Sequence, residues 1–210
     1  MKLILASLFL VTTSIAQEAY RIPFASEGNT VELTVANTSS LPAGQVTVEA
    51  TGMPAWLVLS QKTVTIDQLK PKDEKPAVFS FSVDKSAPVN REQSLTFAIR
   101  SISGERWTKE IKIQISPPDK FELFQNYPNP FNPTTTICYQ LTNDSKVNLK
   151  VYNLLGQEVA TLVDEVRSAG YHRELFDAGR QASGMYIYRI VYTNGDGKQL
   201  SDRKTMMVVK

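Results

Sequence analysis

Val147-Asn148-Leu149-Lys150-Val151-Tyr152-Asn153-Leu154-Leu155-Gly156-Gln157-Glu158-Val159 is the stretch from which the fold can be read. Val147, Leu149 and Val151 recur at every second residue with polar side chains between them, and an extended chain sends alternate side chains to opposite faces. An apolar stripe of period two is the signature of a half-buried strand, and no 3.6-residue period competes with it. Asn153-Leu154-Leu155-Gly156 follows, with Asn and Gly at positions where positive φ is tolerated, which predicts a hairpin turn into a second strand over 158–163.

The same pattern extends in both directions. Downstream, strands are predicted over 171–176, 185–192 and 200–209, with Asn194-Gly195-Asp196-Gly197 as another hairpin turn; upstream, Thr136 to Leu141 alternates. Further back, Val31–Val35, Val46–Val48, Phe79–Val83, Leu95–Ile99 and Ile111–Ile115 alternate between turns rich in Gly and Pro. Pro117-Pro118-Asp119 breaks the rhythm, because two prolines deny donors to a sheet ladder and stiffen the chain. The reading is all-β: two tandem immunoglobulin-like antiparallel β-sandwich domains, residues 17–116 and 121–210, joined by a proline linker at 117–120.

Residues 1–16 have a different character. Met1-Lys2 gives a positive start, Leu3 to Val11 is an apolar run too short to span a bilayer, and Ser14 and Ala16 place small residues at a cleavage site before Gln17. A signal peptide is expected there, and no later segment approaches transmembrane length.

Composition narrows the chemistry. The 210 residues carry 23 Lys+Arg against 21 Asp+Glu, a balance that argues against nucleic acid as a partner. One cysteine, Cys138, and one histidine, His172, exclude an intramolecular disulfide and leave a Cys/His zinc site short of ligands. No phosphate-cradling glycine loop is present, and no metal or cofactor site is expected. Cys138 reads as a buried inert thiol and His172 as an exposed strand residue. A Cys138/His172 dyad is conceivable because the two fall on neighbouring predicted strands, yet the expectation is a protein that is not an enzyme.

The second domain contains a distinctive run, Phe121-Glu122-Leu123-Phe124-Gln125-Asn126-Tyr127-Pro128-Asn129-Pro130-Phe131-Asn132-Pro133-Thr134. Its prolines fix φ and its asparagines satisfy local backbone groups, giving a rigid, non-helical lead-in. Val147 to Val159, Ala169-Gly170-Tyr171-His172, Phe176-Asp177-Ala178 and Ser183-Gly184-Met185-Tyr186-Ile187-Tyr188-Arg189 follow in order, and the chain ends in a strand from Lys204 to Lys210. With these blocks, residues 121–210 resemble the C-terminal sorting domain of the type IX secretion system, in its type A form.

The resemblance implies a cargo protein of Gram-negative bacteria that crosses the inner membrane by the general secretory route. Its C-terminal module is then recognised by the outer-membrane type IX translocon. A sortase-like peptidase cuts near residues 117–121 and joins the cargo to anionic lipopolysaccharide or releases it. The sorting-motif residues it implies are Asn126, Tyr127, Pro128, Asn129, Pro130, Phe131, Asn132, Pro133, Gly156, Gly184, Tyr186, Lys204 and Lys210, with recognition concentrated in residues 185–210. The first domain, through Gly52 to Ser60 and the Phe79-Ser80-Phe81 strand, weakly resembles bacterial immunoglobulin-like accessory modules. The expected function is that of a non-catalytic exported protein at the cell surface or in the medium. The alternative is a carbohydrate- or protein-binding adhesive module, with Trp56 or Trp107 as an exposed stacking platform.

Overall fold

Alternation in the sequence becomes alternation in burial throughout the computed structural model, which describes the backbone of residues 2–5 and all of residues 19–194 and 196–210. The expected cleavage junction at Ser14, Ala16 and Gln17 lies outside the described residues. The chain divides into two units, Met1–Ser116 and Pro117–Lys210, and among the described residues there is no helix.

The first unit is built from β1 (Lys2–Leu5), β2 (Tyr20–Ile22), β3 (Asn29–Ala36), β4 (Val46–Gly52), β5 (Leu57–Leu59), β6 (Thr63–Ile66), β7 (Glu74–Val83), β8 (Glu92–Ser101) and β9 (Arg106–Ile115). They form two sheets, in the orders β1-β3-β7-β5 and β2-β9-β8-β4-β6. Val31 and Leu33 of β3, Phe79 and Phe81 of β7, Leu95 and Phe97 of β8, and Ile111 and Ile113 of β9 are all buried in one core. The Phe79 and Phe97 rings meet with centroids 5.1 Å apart. Two pairings depart from the antiparallel expectation: β1 runs parallel to β3 and β2 runs parallel to β9. A hairpin forces antiparallel neighbours, but Tyr20 and its partner Ile113 are separated by most of the unit, so no turn dictates their direction.

The second unit contains β10 (Glu122–Leu123), β11 (Thr134–Leu141), β12 (Ser145–Asn153), β13 (Glu158–Arg167), β14 (Gly170–Asp177), β15 (Gly184–Thr193) and β16 (Gln199–Val208). Its sheets are β10-β11-β14 and β13-β12-β15-β16, and every strand pair within them is antiparallel. Val147, Leu149 and Val151 of β12 face Tyr188 and Ile190 of β15 and Ile137, Tyr139 and Leu141 of β11 in a single core. The hairpin turn forms at Asn153, whose carboxamide oxygen accepts hydrogen bonds from the Leu155 and Gln157 amides, with Gly156 at φ +79° closing it. β13 and β16 are the two edges of the four-stranded sheet.

Candidate functional site: the lead-in loop and the last strand

The proline-rich run covers the C-terminal end of β16. Each proline removes one backbone donor, and the N–H groups of Asn126, Tyr127 and Phe131 all find partners. Tyr127 exchanges both backbone hydrogen bonds with Thr136 at 3.0 Å. The Asn126 N–H donates to the Tyr188 hydroxyl at 2.9 Å, and that hydroxyl donates onward to the Phe124 carbonyl at 2.8 Å. The peptide bonds before Pro128, Pro130 and Pro133 are cis.

Asn126 is the hub of this loop. It is buried to 2% exposure, and its side-chain NH2 donates to the Pro128 carbonyl at 3.0 Å and the Thr135 hydroxyl at 2.9 Å. Thr135 in turn donates to the same Pro128 carbonyl at 2.8 Å. The Asn126 carboxamide oxygen accepts from Gln125 at 2.7 Å. A buried polar group is costly unless every donor and acceptor is paired, and here they are.

From that hub the loop reaches β16 at three places. Gln125 Nε2 donates to the Thr205 carbonyl at 2.8 Å. Asn129 Oδ1 accepts the Met207 N–H at 2.9 Å. Phe131 donates to the Met207 carbonyl and accepts from the Val209 N–H, both at 3.0 Å, while its ring is buried against Phe176 with centroids 6.0 Å apart. The terminal residue is tied as well: the Lys210 N–H donates to Ser183 Oγ and its ammonium to the Gly179 carbonyl.

The residues expected from the sorting motif thus fall into two sets. Asn126, Pro128, Asn129, Phe131 and Lys210 converge on the last strand and its surroundings, and the Pro133 carbonyl accepts the Ala178 N–H at 2.8 Å. Tyr186 is buried, with its hydroxyl on the Ala182 carbonyl at 2.9 Å. Gly184 opens β15 at φ +147°, where any other residue is strained. Lys204 is half-buried opposite Tyr188 on β16. Tyr127 stands 82% exposed, Pro130 and Asn132 are exposed, and Gly156 sits in its distant hairpin. Gln125, Thr135 and Tyr188, which sequence reading did not single out for the site, complete it. Tyr188 lies 62 positions from Asn126, and no local pattern announces such a contact.

Two tyrosines are held protonated. Burial pushes the Tyr188 phenol up to about 12. Burial, then the charge of Glu174, drives Tyr139 well above the usual phenol range. A raised folded-state pKa gives stability that is complete below the unfolded value near 10 and is lost as pH rises through the folded value. The second unit is therefore expected to lose thermal stability steeply between about pH 10 and about pH 12. Tyr188→Phe should flatten that fall in a pH series of melting curves.

The remaining candidates are not brought together. In β11 and β14, Cys138 pairs with Arg173 and His172 with Tyr139, so the thiol and the imidazole lie on opposite faces of one sheet. The conceived dyad does not form. Cys138 is also not a core thiol: Ile137, Tyr139 and Leu141 fill the core, which turns Cys138 to the outer face, half-buried. His172 is half-buried instead of exposed, because its ring stacks on Tyr139 with centroids 5.1 Å apart. Trp56 is half-buried against the first core, whereas Trp107 on β9 is 38% exposed. Trp56 lies in the turn that leads into β5, a strand of the other sheet.

Residues 125–203 match a family model described as the secretion system C-terminal sorting domain. No curated protein matches the sequence. Among solved structures, dimeric latent PorU from Porphyromonas gingivalis is 14% identical, over 94% of this chain and 19% of its own length, with a TM-score of 0.36. A protein of unknown function from Porphyromonas gingivalis W83 is 12% identical over 92% of this chain and 96% of its own, also at 0.36. The CupB2 chaperone of Pseudomonas aeruginosa is 13% identical over 89% and 96%, at 0.29. Similarity at that level carries no functional argument, and the family match rests on sequence. Over residues 125–203 the second unit is similar in sequence to secretion system C-terminal sorting domains.

Proposed function

We propose that this chain is a non-catalytic cargo protein exported by the type IX secretion system and delivered to the cell surface or the medium, with its second unit as the sorting signal. The supporting observation is the joining of the family's proline-asparagine run to the final strand by Gln125, Asn129 and Phe131. The motif and the C-terminus form one surface that a translocon can meet as a unit. A signal peptide over residues 1–16 takes the chain across the inner membrane by the general secretory route. The translocon's sortase-like peptidase then cuts in the proline linker, and anionic lipopolysaccharide is the acceptor where the cargo is retained.

The test uses the full chain, followed with an antibody against the first unit in a type IX-competent host and in the same host lacking the translocon. The expected result is surface or medium localisation in the first and periplasmic accumulation in the second. An identical distribution in both would overturn the proposal.

A further inference from the structure

The lead-in seals only half of the outer edge of β16. β16 pairs with β15 in unbroken register from Gly184 opposite Val208 to Thr193 opposite Gln199. Ladder bonds alternate along an antiparallel pair, so the N–H and C=O of every second residue point away from the neighbour. Met207 is such a residue, since both its groups bond to Asn129 and Phe131. The same parity turns the main-chain groups of Thr205, Arg203 and Ser201 outward. Gln125 takes the Thr205 carbonyl, and the Asp202 carboxylate takes the Arg203 N–H at 2.7 Å. The Thr205 N–H, the Arg203 carbonyl and both groups of Ser201 face an open edge, without a protein partner among the described residues. A groove of about 450 Å³ lies beside them, lined by Gln125, Ile187, Arg203, Lys204 and Thr205.

The outer sheet face beside this edge carries a row of basic side chains. Lys150, Arg189 and Arg203 stand in a row across β12, β15 and β16. Lys150 is neutralised by Glu158 at 2.7 Å. Arg189 and Arg203, directly opposite each other, have no carboxylate within 4.0 Å among the described residues, and neither has Lys204. Like charges facing each other across a strand pair destabilise it. An anion placed between them reverses the sign of that term.

We propose that residues 201–205 of β16 form a strand-pairing site for an extended acidic segment of a partner protein. The partner's backbone completes the open ladder, and its Asp or Glu side chains meet Arg189 and Arg203 on the outer face. The outward groups repeat every second residue, about 6.8 Å, a spacing that a polypeptide backbone matches and a phosphorylated glycolipid does not. Strand addition at an exposed edge draws affinity from the main chain and specificity from side chains. The inference deepens the sorting role and rests on that reading only for where the partner is met.

The experiment uses the full chain and a labelled peptide of alternating Glu and Thr. A Lys-Thr peptide and vesicles carrying lipopolysaccharide serve as separate arms. Binding is read by fluorescence anisotropy and by hydrogen exchange at the Ser201 and Thr205 amides. The acidic peptide is expected to bind at least about tenfold more tightly than the basic one, and to slow exchange at both amides. The double variant Arg189→Glu, Arg203→Glu should weaken it by about tenfold or more. Absence of acidic-peptide binding to the wild-type chain overturns the proposal, as does binding that leaves both amides unprotected or binding confined to the vesicles. None of these results depends on the localisation assay, so a failure here is distinct from a failure of the sorting role.

Discussion

Asn126→Asp is expected to lower the stability of the second unit by about 3 kcal/mol or more. The side-chain NH2 of Asn126 serves two acceptors, the Pro128 carbonyl and the Thr135 hydroxyl. Aspartate presents an oxygen at the same place, so acceptor meets acceptor at the Pro128 carbonyl. The Thr135 hydroxyl can turn to donate to the new carboxylate only by abandoning that carbonyl, which then has lost both of its donors. The site is buried, and among the described residues no cationic side chain pairs with it to offset a charge. Asn126→Ala removes the same bonds without adding charge, and about 2 kcal/mol is the expected loss. Domains are stable by only about 5–15 kcal/mol, so the aspartate variant should shift the urea midpoint far more than any surface change. A loss below about 1 kcal/mol for Asn126→Asp, with an unchanged denaturant slope, would show that the hub is not a fixed point of the fold.

Phe131→Ala should cost about 3–5 kcal/mol, the usual range for deleting a buried ring. Its second effect is more specific. The Phe131 side chain anchors the loop in the core against Phe176, and its main chain holds Met207 and Val209. Without the ring, the loop that carries the Phe131 carbonyl loses its anchor, and the hydrogen bonds of the Val209 and Met207 N–H groups loosen. Hydrogen exchange at these two amides is expected to accelerate more than exchange in the ladder between β12 and β15. Uniform acceleration over all strands of the unit would mean that the ring stabilises the core but does not seal the edge.

Much of this was legible in the sequence, for a physical reason. Period-two alternation is local, so Val147, Leu149 and Val151 declare their strand without reference to any distant residue, and so do Phe79 and Phe81. The short strands β2, β5, β6 and β10 have two to four residues, too few for a period to register. Where two interleaved sets of side chains compete for the core, local alternation does not decide which set faces inward. Thr136-Ile137-Cys138-Tyr139-Gln140-Leu141 offers two interleaved sets, and the larger apolar set takes the core and sends Cys138 outward. Along β15, Tyr186, Tyr188 and Tyr192 claim the interior and leave Ile187 and Val191 half-exposed on the outer face.

The candidate site was legible only as a list. Its residues could be quoted from the family's blocks, but their convergence depends on contacts across 62 to 80 positions, such as Asn126 with Tyr188 and Gln125 with Thr205. Pairing at that separation is set by the whole topology, not by neighbours in the chain.

The double-sided seal on the end of β16 has a mechanical consequence. A force applied at Lys210 along the strand axis meets the β15 ladder on one side and the Phe131, Asn129 and Gln125 bonds on the other. Both rows are stretched together in shear, so they must break nearly at once instead of peeling in sequence. The free half of the strand, from Gln199 to Arg203, has a single row to lose. A machine that grips the C-terminus therefore pulls against two rows of bonds, and one that engages β16 from Gln199 pulls against one.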